Sequence, residues 1–120
     1  MPKLMIVDDD RLTVSLLKTL LELDDFEVVS VPDGTSAYQK AINEKPDAFL
    51  VDFHLSDGAG SDFIEKIRKL KEFSRTPIVM ASGLNREEEA RTAGADRFMI
   101  KPFDPTDLVT ILNKLLESSH

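Results

Sequence analysis

The chain has 120 residues, 42% hydrophobic and 31% charged, which fits one globular domain over residues 1–120 and leaves no room for a second. Its 22 acidic residues against 15 Lys and Arg give a formal charge of −7, which opposes direct binding to nucleic acid or to an anionic membrane surface. The absence of cysteine excludes disulfides, thiolate metal sites and cysteine nucleophiles, and no apolar run approaches the roughly 18 residues of a membrane span, so a cytoplasmic location is expected.

In chain order, Leu4 to Val7 is a short, continuously apolar run, as a strand buried on both faces of a parallel sheet requires. Leu12, Leu16, Leu20 and Leu23 recur three or four positions apart and predict a first helix with that stripe turned inward. Phe26 to Val31 reads as an edge strand, and Ala37, Tyr38, Ala41 and Ile42 predict the second helix. Ala48 to Val51 is the third strand, followed by a helix carrying Phe63, Ile64, Ile67 and Leu70. Pro77 introduces the fourth strand, Ile78 to Ala81. Asn85 with Glu88 three residues later marks the start of a fourth helix, and Gly94 its stop. After the fifth strand, Phe98 to Ile100, the segment Asp104-Pro105-Thr106-Asp107 caps a last helix with Leu108, Ile111, Leu112 and Leu115 inward. Five alternations of strand and helix imply parallel strands joined by right-handed crossovers in a three-layer α/β sandwich.

Parallel strands end on one edge of the sheet, where open α/β folds hold their ligands. Asp8, Asp9 and Asp10 follow the first strand, Asp52 the third, Ser82 the fourth and Lys101 the fifth. Carboxylates gathered there repel one another and invite a cation. An all-oxygen donor set points to Mg²⁺, Mn²⁺ or Ca²⁺ rather than Zn²⁺, and Mg²⁺ suits one or two carboxylates plus phosphate oxygens. Lys101 then reads as a counter-charge to a phosphoryl group, Ser82 as a hydroxyl donor to it, and Asp52 as the nucleophile of an aspartyl phosphate.

The ordered motifs Ile-Val-Asp8-Asp9-Asp10, Phe-Leu-Val-Asp52-Phe-His-Leu-Ser-Asp-Gly, Pro-Ile-Val-Met-Ala-Ser82-Gly, Gly94-Ala-Asp and Ile-Lys101-Pro102-Phe103 together resemble the receiver domain of two-component response regulators, over essentially the whole chain. The resemblance implies a five-stranded, flavodoxin-like sheet of order 2-1-3-4-5 with five helices. It implies that Asp52 takes a phosphoryl group from a sensor histidine kinase or histidine phosphotransfer protein. Mg²⁺, with Mn²⁺ as substitute, would bind to Asp9, Asp52 and the backbone carbonyl of His54, and to Asp8 through water. It adds a cis bond at Lys101-Pro102, self-catalysed transfer with autodephosphorylation rather than conventional enzyme turnover, and a downstream effector protein or domain. Ser82 and Phe98 become the switch residues, and the face of the fourth helix, fifth strand and fifth helix becomes the surface for output or for a homodimer.

Three positions depart from the family pattern. Phe98 stands where many relatives have Tyr; Ser56 and Ala59 replace a proline and an acidic residue, so a less rigid loop is expected after Asp52. His54 and Leu84 lie where side chains tend to control hydrolytic water.

Blander readings exist for each residue. Asp9 or Asp10 could simply cap the first helix, Asp52 could be a turn residue, Ser82-Gly83 a loop, and a lone His54 side chain exposed and inert. A haloacid-dehalogenase-like phosphatase would need Asp where His54 stands, and a flavin binder would meet three carboxylates where phosphate belongs. The alternative function is a receiver-like interaction module that works without phosphorylation.

Overall fold

The computed structural model describes residues 1–118; His120 lies outside them. The elements are β1 (Lys3–Val7), α1 (Arg11–Leu23), β2 (Glu27–Val31), α2 (Gly34–Glu44), β3 (Ala48–Asp52), β4 (His54–Leu55), β5 (Gly58–Ala59), α3 (Gly60–Arg68), a 3₁₀ turn (Lys71–Phe73), β6 (Ile78–Ser82), α4 (Glu87–Ala93), β7 (Arg97–Ile100) and α5 (Pro105–Ser118). Five strands form one parallel sheet in the order β2-β1-β3-β6-β7. This is the expected 2-1-3-4-5 order of the main strands, with the short β4-β5 hairpin standing apart as a second sheet.

Alternation along the buried strands divides the core in two. Met5, Val7, Phe49, Val51 and Met80 face α2, α3 and α4, while Leu4, Ile6, Leu50, Val79 and Ala81 face α1 and α5. Both faces are covered, so the strands read as unbroken apolar runs. Phe49 anchors the first core by meeting Phe63 and Phe73 edge-on, with ring centroids 5.8 and 5.5 Å away.

Two local expectations need correction. The inward stripe of α1 is Val14, Leu17 and Leu21; Leu12 is 84% exposed, Leu16 59% and Leu23 77%. Leucines at nearly every turn make two stripes compatible with helical spacing, and packing on the sheet selects the other one. Helix α4 begins at Glu87, with Asn85 accepting a hydrogen bond from the Glu87 amide at 3.1 Å; the N-cap is Arg86, which makes no side-chain cap bond. Gly94 does end α4, at φ 114°, a left-handed conformation that glycine adopts without steric cost.

The segment between Asp52 and α3 is pinned at both ends and at its tip. The Phe53 carbonyl accepts from the Gly60 amide at 2.6 Å, and His54 pairs with Ala59. Asp57 reaches the start of α2, where Oδ1 accepts from the Gly34 amide at 3.0 Å and Oδ2 from the Thr35 amide and hydroxyl at 2.9 and 2.7 Å. The loop without its proline is therefore held by long-range bonds, not slack.

Gly60 lies so close to β3 that a Cβ would collide with the Asp52 carbonyl oxygen and press on Val51. Gly60→Ala is expected to lower stability by about 2 kcal/mol or more in denaturant titration, as overpacking against backbone does; an unchanged midpoint would contradict this close approach.

The Gly34 amide, then the Thr35 hydroxyl and amide, hold the Asp57 carboxyl down at about 2, below its ordinary 3.8. A depressed folded pKa contributes stability above the unfolded value and loses it as pH falls through the folded one. The stability gap between the native chain and Asp57→Asn should thus be constant above about pH 5 and shrink from about pH 4 towards 2. Urea midpoints at matched pH check this, and a gap that widens on acidification would contradict it.

Candidate functional site

The sheet register lines up the polar strand ends. Val7 pairs with Val51, Asp52 with Ala81, and Ser82 with Ile100, so Asp8, Asp52, Ser82 and Lys101 emerge along one rim. Asp8 is 7% exposed, Asp52 is half-buried and Asp9 lies in the open; one oxygen of each falls within 4.8 Å of the others. The Asp8 Oδ1 atom accepts from the Asp10 amide at 2.9 Å, which fixes the first carboxylate as the chain leaves β1.

Asp10 itself turns away. Its carboxylate caps α1, accepting from the Leu12 amide at 3.2 Å, the Thr13 amide at 3.5 Å and the Thr13 hydroxyl at 2.7 Å. Of the three consecutive aspartates, two therefore face the rim and the third starts the helix.

Lys101 answers the negative charge. Its Nζ lies 2.9 Å from Asp8 Oδ2 and 3.3 Å from Asp52 Oδ1. Burial alone would lower the ammonium pKa, but the hydrogen bond and charge of Asp8, with those of Asp52, outweigh it and hold the group above the usual lysine value. Asp52 moves the opposite way from a simple ion-pair partner. Burial pushes its carboxyl pKa up, Lys101 offsets part of that, and Asp8 and Asp9 add to the rise. Lys101 is shared between the two carboxylates, with the shorter bond to Asp8. The Lys101–Pro102 peptide bond is cis, as the resemblance implies.

Ser82 is fully buried at the end of β6, its Oγ accepting from the Leu84 amide at 3.2 Å, while the backbone amide of Lys101 donates to the Ser82 carbonyl at 2.8 Å. Phe98, opposite Met80 in the register, is partly buried against the core shared with α4 and sits on the sheet away from the carboxylates. The His54 side chain is exposed and meets the Phe53 ring edge-on at 4.9 Å. Leu84 is 58% exposed.

Two groups at the rim escaped sequence reasoning. Asp57 is one, because its partners lie 22 and 23 residues away. Arg86 is the other: its guanidinium lies 4.9 Å from the Phe53 ring centroid and 3.0 Å from Glu89, joining the residue after Asp52 to the first turn of α4. Asp57 stands inside the motif that follows Asp52, but no local pattern pairs it with α2, and Arg86 follows neither a motif nor a periodicity.

The donor set fits a hard divalent cation, since it is all carboxylate, partly desolvated, and carries a pKa rise on Asp52 that a cation would relieve. Lys101 alone does not balance three carboxylates.

Comparison with known proteins identifies the family and the fold. The family model for the response regulator receiver domain matches residues 4–113. The transcriptional regulatory protein CpxR of Escherichia coli K12 is 32% identical over 123 aligned positions, covering 100% of this chain and 51% of its own length. The chain thus spans about half the length of this curated relative. A CheY-like receiver domain protein from Methanospirillum hungatei superposes with a TM-score of 0.92 at 29% identity, covering 99% of this chain and 96% of that one. The receiver domain of the sensor histidine kinase PA1611 from Pseudomonas aeruginosa, solved with a magnesium ion coordinated in its active site cleft, superposes with a TM-score of 0.88 at 25% identity, covering 97% and 98%. No helix among the described residues is long and apolar enough to cross a membrane. With its sheet order, its rim of aspartates and lysine, and a family match over nearly its full length, the chain belongs to the response regulator receiver domains.

Proposed function

We propose that residues 1–120 act as one receiver unit in which Asp52 accepts a phosphoryl group from a phosphohistidine of a kinase or phosphotransfer protein. The observation that carries this reading is the position of Asp52, 3.3 Å from Lys101 and with an oxygen within 4.8 Å of those of Asp8 and Asp9. One carboxylate oxygen of Asp52 attacks phosphorus, the P–N bond to imidazole breaks, and the nitrogen keeps its electron pair and takes up a proton. Lys101 follows the charge that moves onto the phosphoryl oxygens, exchanging part of its contact with Asp52 for contact with them. The Ser82 hydroxyl proton is free to point at the same oxygens while Oγ continues to accept from Leu84. Asp9, Asp52 and the residue 54 carbonyl, with Asp8 acting through water, would hold Mg²⁺, or Mn²⁺ in its place, which supplies charge neutralisation around the phosphoryl group when bound. The same residues would serve hydrolysis of the acyl phosphate, so the chain resets itself.

The phosphodonor lands on the surface beside Lys101. Leu12 and Leu16 stand exposed on α1, and a groove of about 350 Å³ lined by Leu16, Lys101, Pro102, Phe103 and Pro105 opens next to them. An apolar surface continuous with the acceptor rim suits a partner that must bring an imidazole to Asp52. Output lies on another side. As Ser82 is drawn to the phosphoryl group, the β6-α4 loop and Phe98 behind it shift, and the α4-β7-α5 face presents a changed surface to an effector or to a second copy.

Incubation with Mg²⁺ and acetyl phosphate should add one phosphoryl group by intact mass to the native chain and none to Asp52→Asn; equal labelling of both would overturn the assignment. Lys101→Ala should slow the labelling rate by about two orders of magnitude, the typical loss for one preorganised donor at a developing charge. A chain that folds and binds a partner but never labels would favour the phosphorylation-independent module.

A further inference from the structure

The hairpin after Asp52 carries His54, whose backbone carbonyl belongs to the proposed metal shell. Within a receiver loop that lacks its proline at Ser56 and its acidic residue at Ala59, something else must fix that carbonyl. The hairpin is only two residues long on each side, His54 and Leu55 against Gly58 and Ala59, too short to hold itself in water. Its apex is tied down from outside by the Asp57 carboxylate, which uses both oxygens on α2: Oδ1 on the Gly34 amide, Oδ2 on the Thr35 amide and hydroxyl.

The grip suits both partners. The first turn of a helix has amides without intrahelical acceptors. In α2 the Ser36 amide goes to Asp33 Oδ1 at 2.7 Å and the Ala37 amide to the Asp33 carbonyl at 3.1 Å, leaving those of Gly34 and Thr35 for Asp57. A carboxylate presents acceptors on both oxygens, whereas the asparagine amide would set an N–H donor against an N–H donor on one side.

We infer that Asp57 is a positioning residue for metal binding: by clamping the hairpin to the start of α2 it holds the residue 54 carbonyl in place for the cation. It touches neither the phosphoryl group nor the proposed ligands, and the inference rests on the receiver reading given above. Residues that orient a ligand from behind typically change metal affinity 10- to 100-fold when removed. A backbone carbonyl is one ligand among several, so the lower end applies.

Isothermal titration with Mg²⁺ tests it. Asp57→Ala should weaken Mg²⁺ binding about tenfold, and its acetyl phosphate labelling rate should return to within about twofold of the native rate at saturating Mg²⁺, because Asp52 and Lys101 are untouched. Asp47→Ala is the matched control. Asp47 accepts from the Lys3 amide at 2.7 Å, a similar long-range carboxylate bond at the other end of the sheet, and its loss should leave Mg²⁺ affinity within about twofold. Should Asp57→Ala not fold, Thr35→Val removes one of the three donors and should weaken binding in the same direction by a smaller factor. Native Mg²⁺ affinity in folded Asp57→Ala or in Thr35→Val, or an equal loss in Asp47→Ala, would overturn the clamp's role alone. A native chain that binds no Mg²⁺ would overturn the metal site and the clamp's role together.

Discussion

Three carboxylates with oxygens within 4.8 Å of one another repel, and the form of the rim is a set of compensations for that repulsion. Each aspartate sits where a buried strand ends, so its position is set by packing it cannot influence. Lys101, arriving from the far strand of the sheet, lies between Asp8 and Asp52 and neutralises part of the charge. What it leaves over is the site's capacity for a cation and for a phosphoryl group. These charges are largely withdrawn from water, and the cost of desolvating them offsets much of what the ion pair gains. Its value is to hold Lys101 where a phosphoryl group on Asp52 would need it.

The same logic explains why the acceptor loop is so heavily tied. A carbonyl ligand is useful only if the backbone that bears it does not move, and the Asp52 to Gly60 segment lies on the surface. Close packing of Gly60 against β3, the hydrogen bond from its amide to Phe53, and the Asp57 grip on α2 restrain it from three directions. Arg86 adds a fourth contact across the mouth, over the Phe53 ring, so the acceptor loop and the first turn of α4 are in touch before any phosphorylation.

Much of this was legible in the sequence. Strands buried on both faces have no choice but to be continuously apolar, and that constraint located β1, β3 and β6; the polar residue after each run then named Asp8, Asp52 and Ser82. The capped start of α5 and the Gly94 stop followed from local backbone chemistry. The misreadings have equally physical origins. In α1, leucines occupy two overlapping stripes, so spacing could not distinguish Leu16 from Leu17, and the exposed pair Leu12 and Leu16 went unseen as surface. The β4-β5 hairpin is too short to produce a period. Missing proline at Ser56 suggested slack, but the replacement for it, Asp57 on α2, is a contact between distant residues that no local pattern encodes.

In this mechanism one side chain, Asp52, carries the phosphoryl group. After labelling with acetyl phosphate and Mg²⁺, borohydride reduction converts an aspartyl phosphate to homoserine, and peptide mass spectrometry locates the change. The account predicts homoserine at position 52 alone. Homoserine at Asp8 or Asp9, or label retained on His54 with position 52 unchanged, would contradict it.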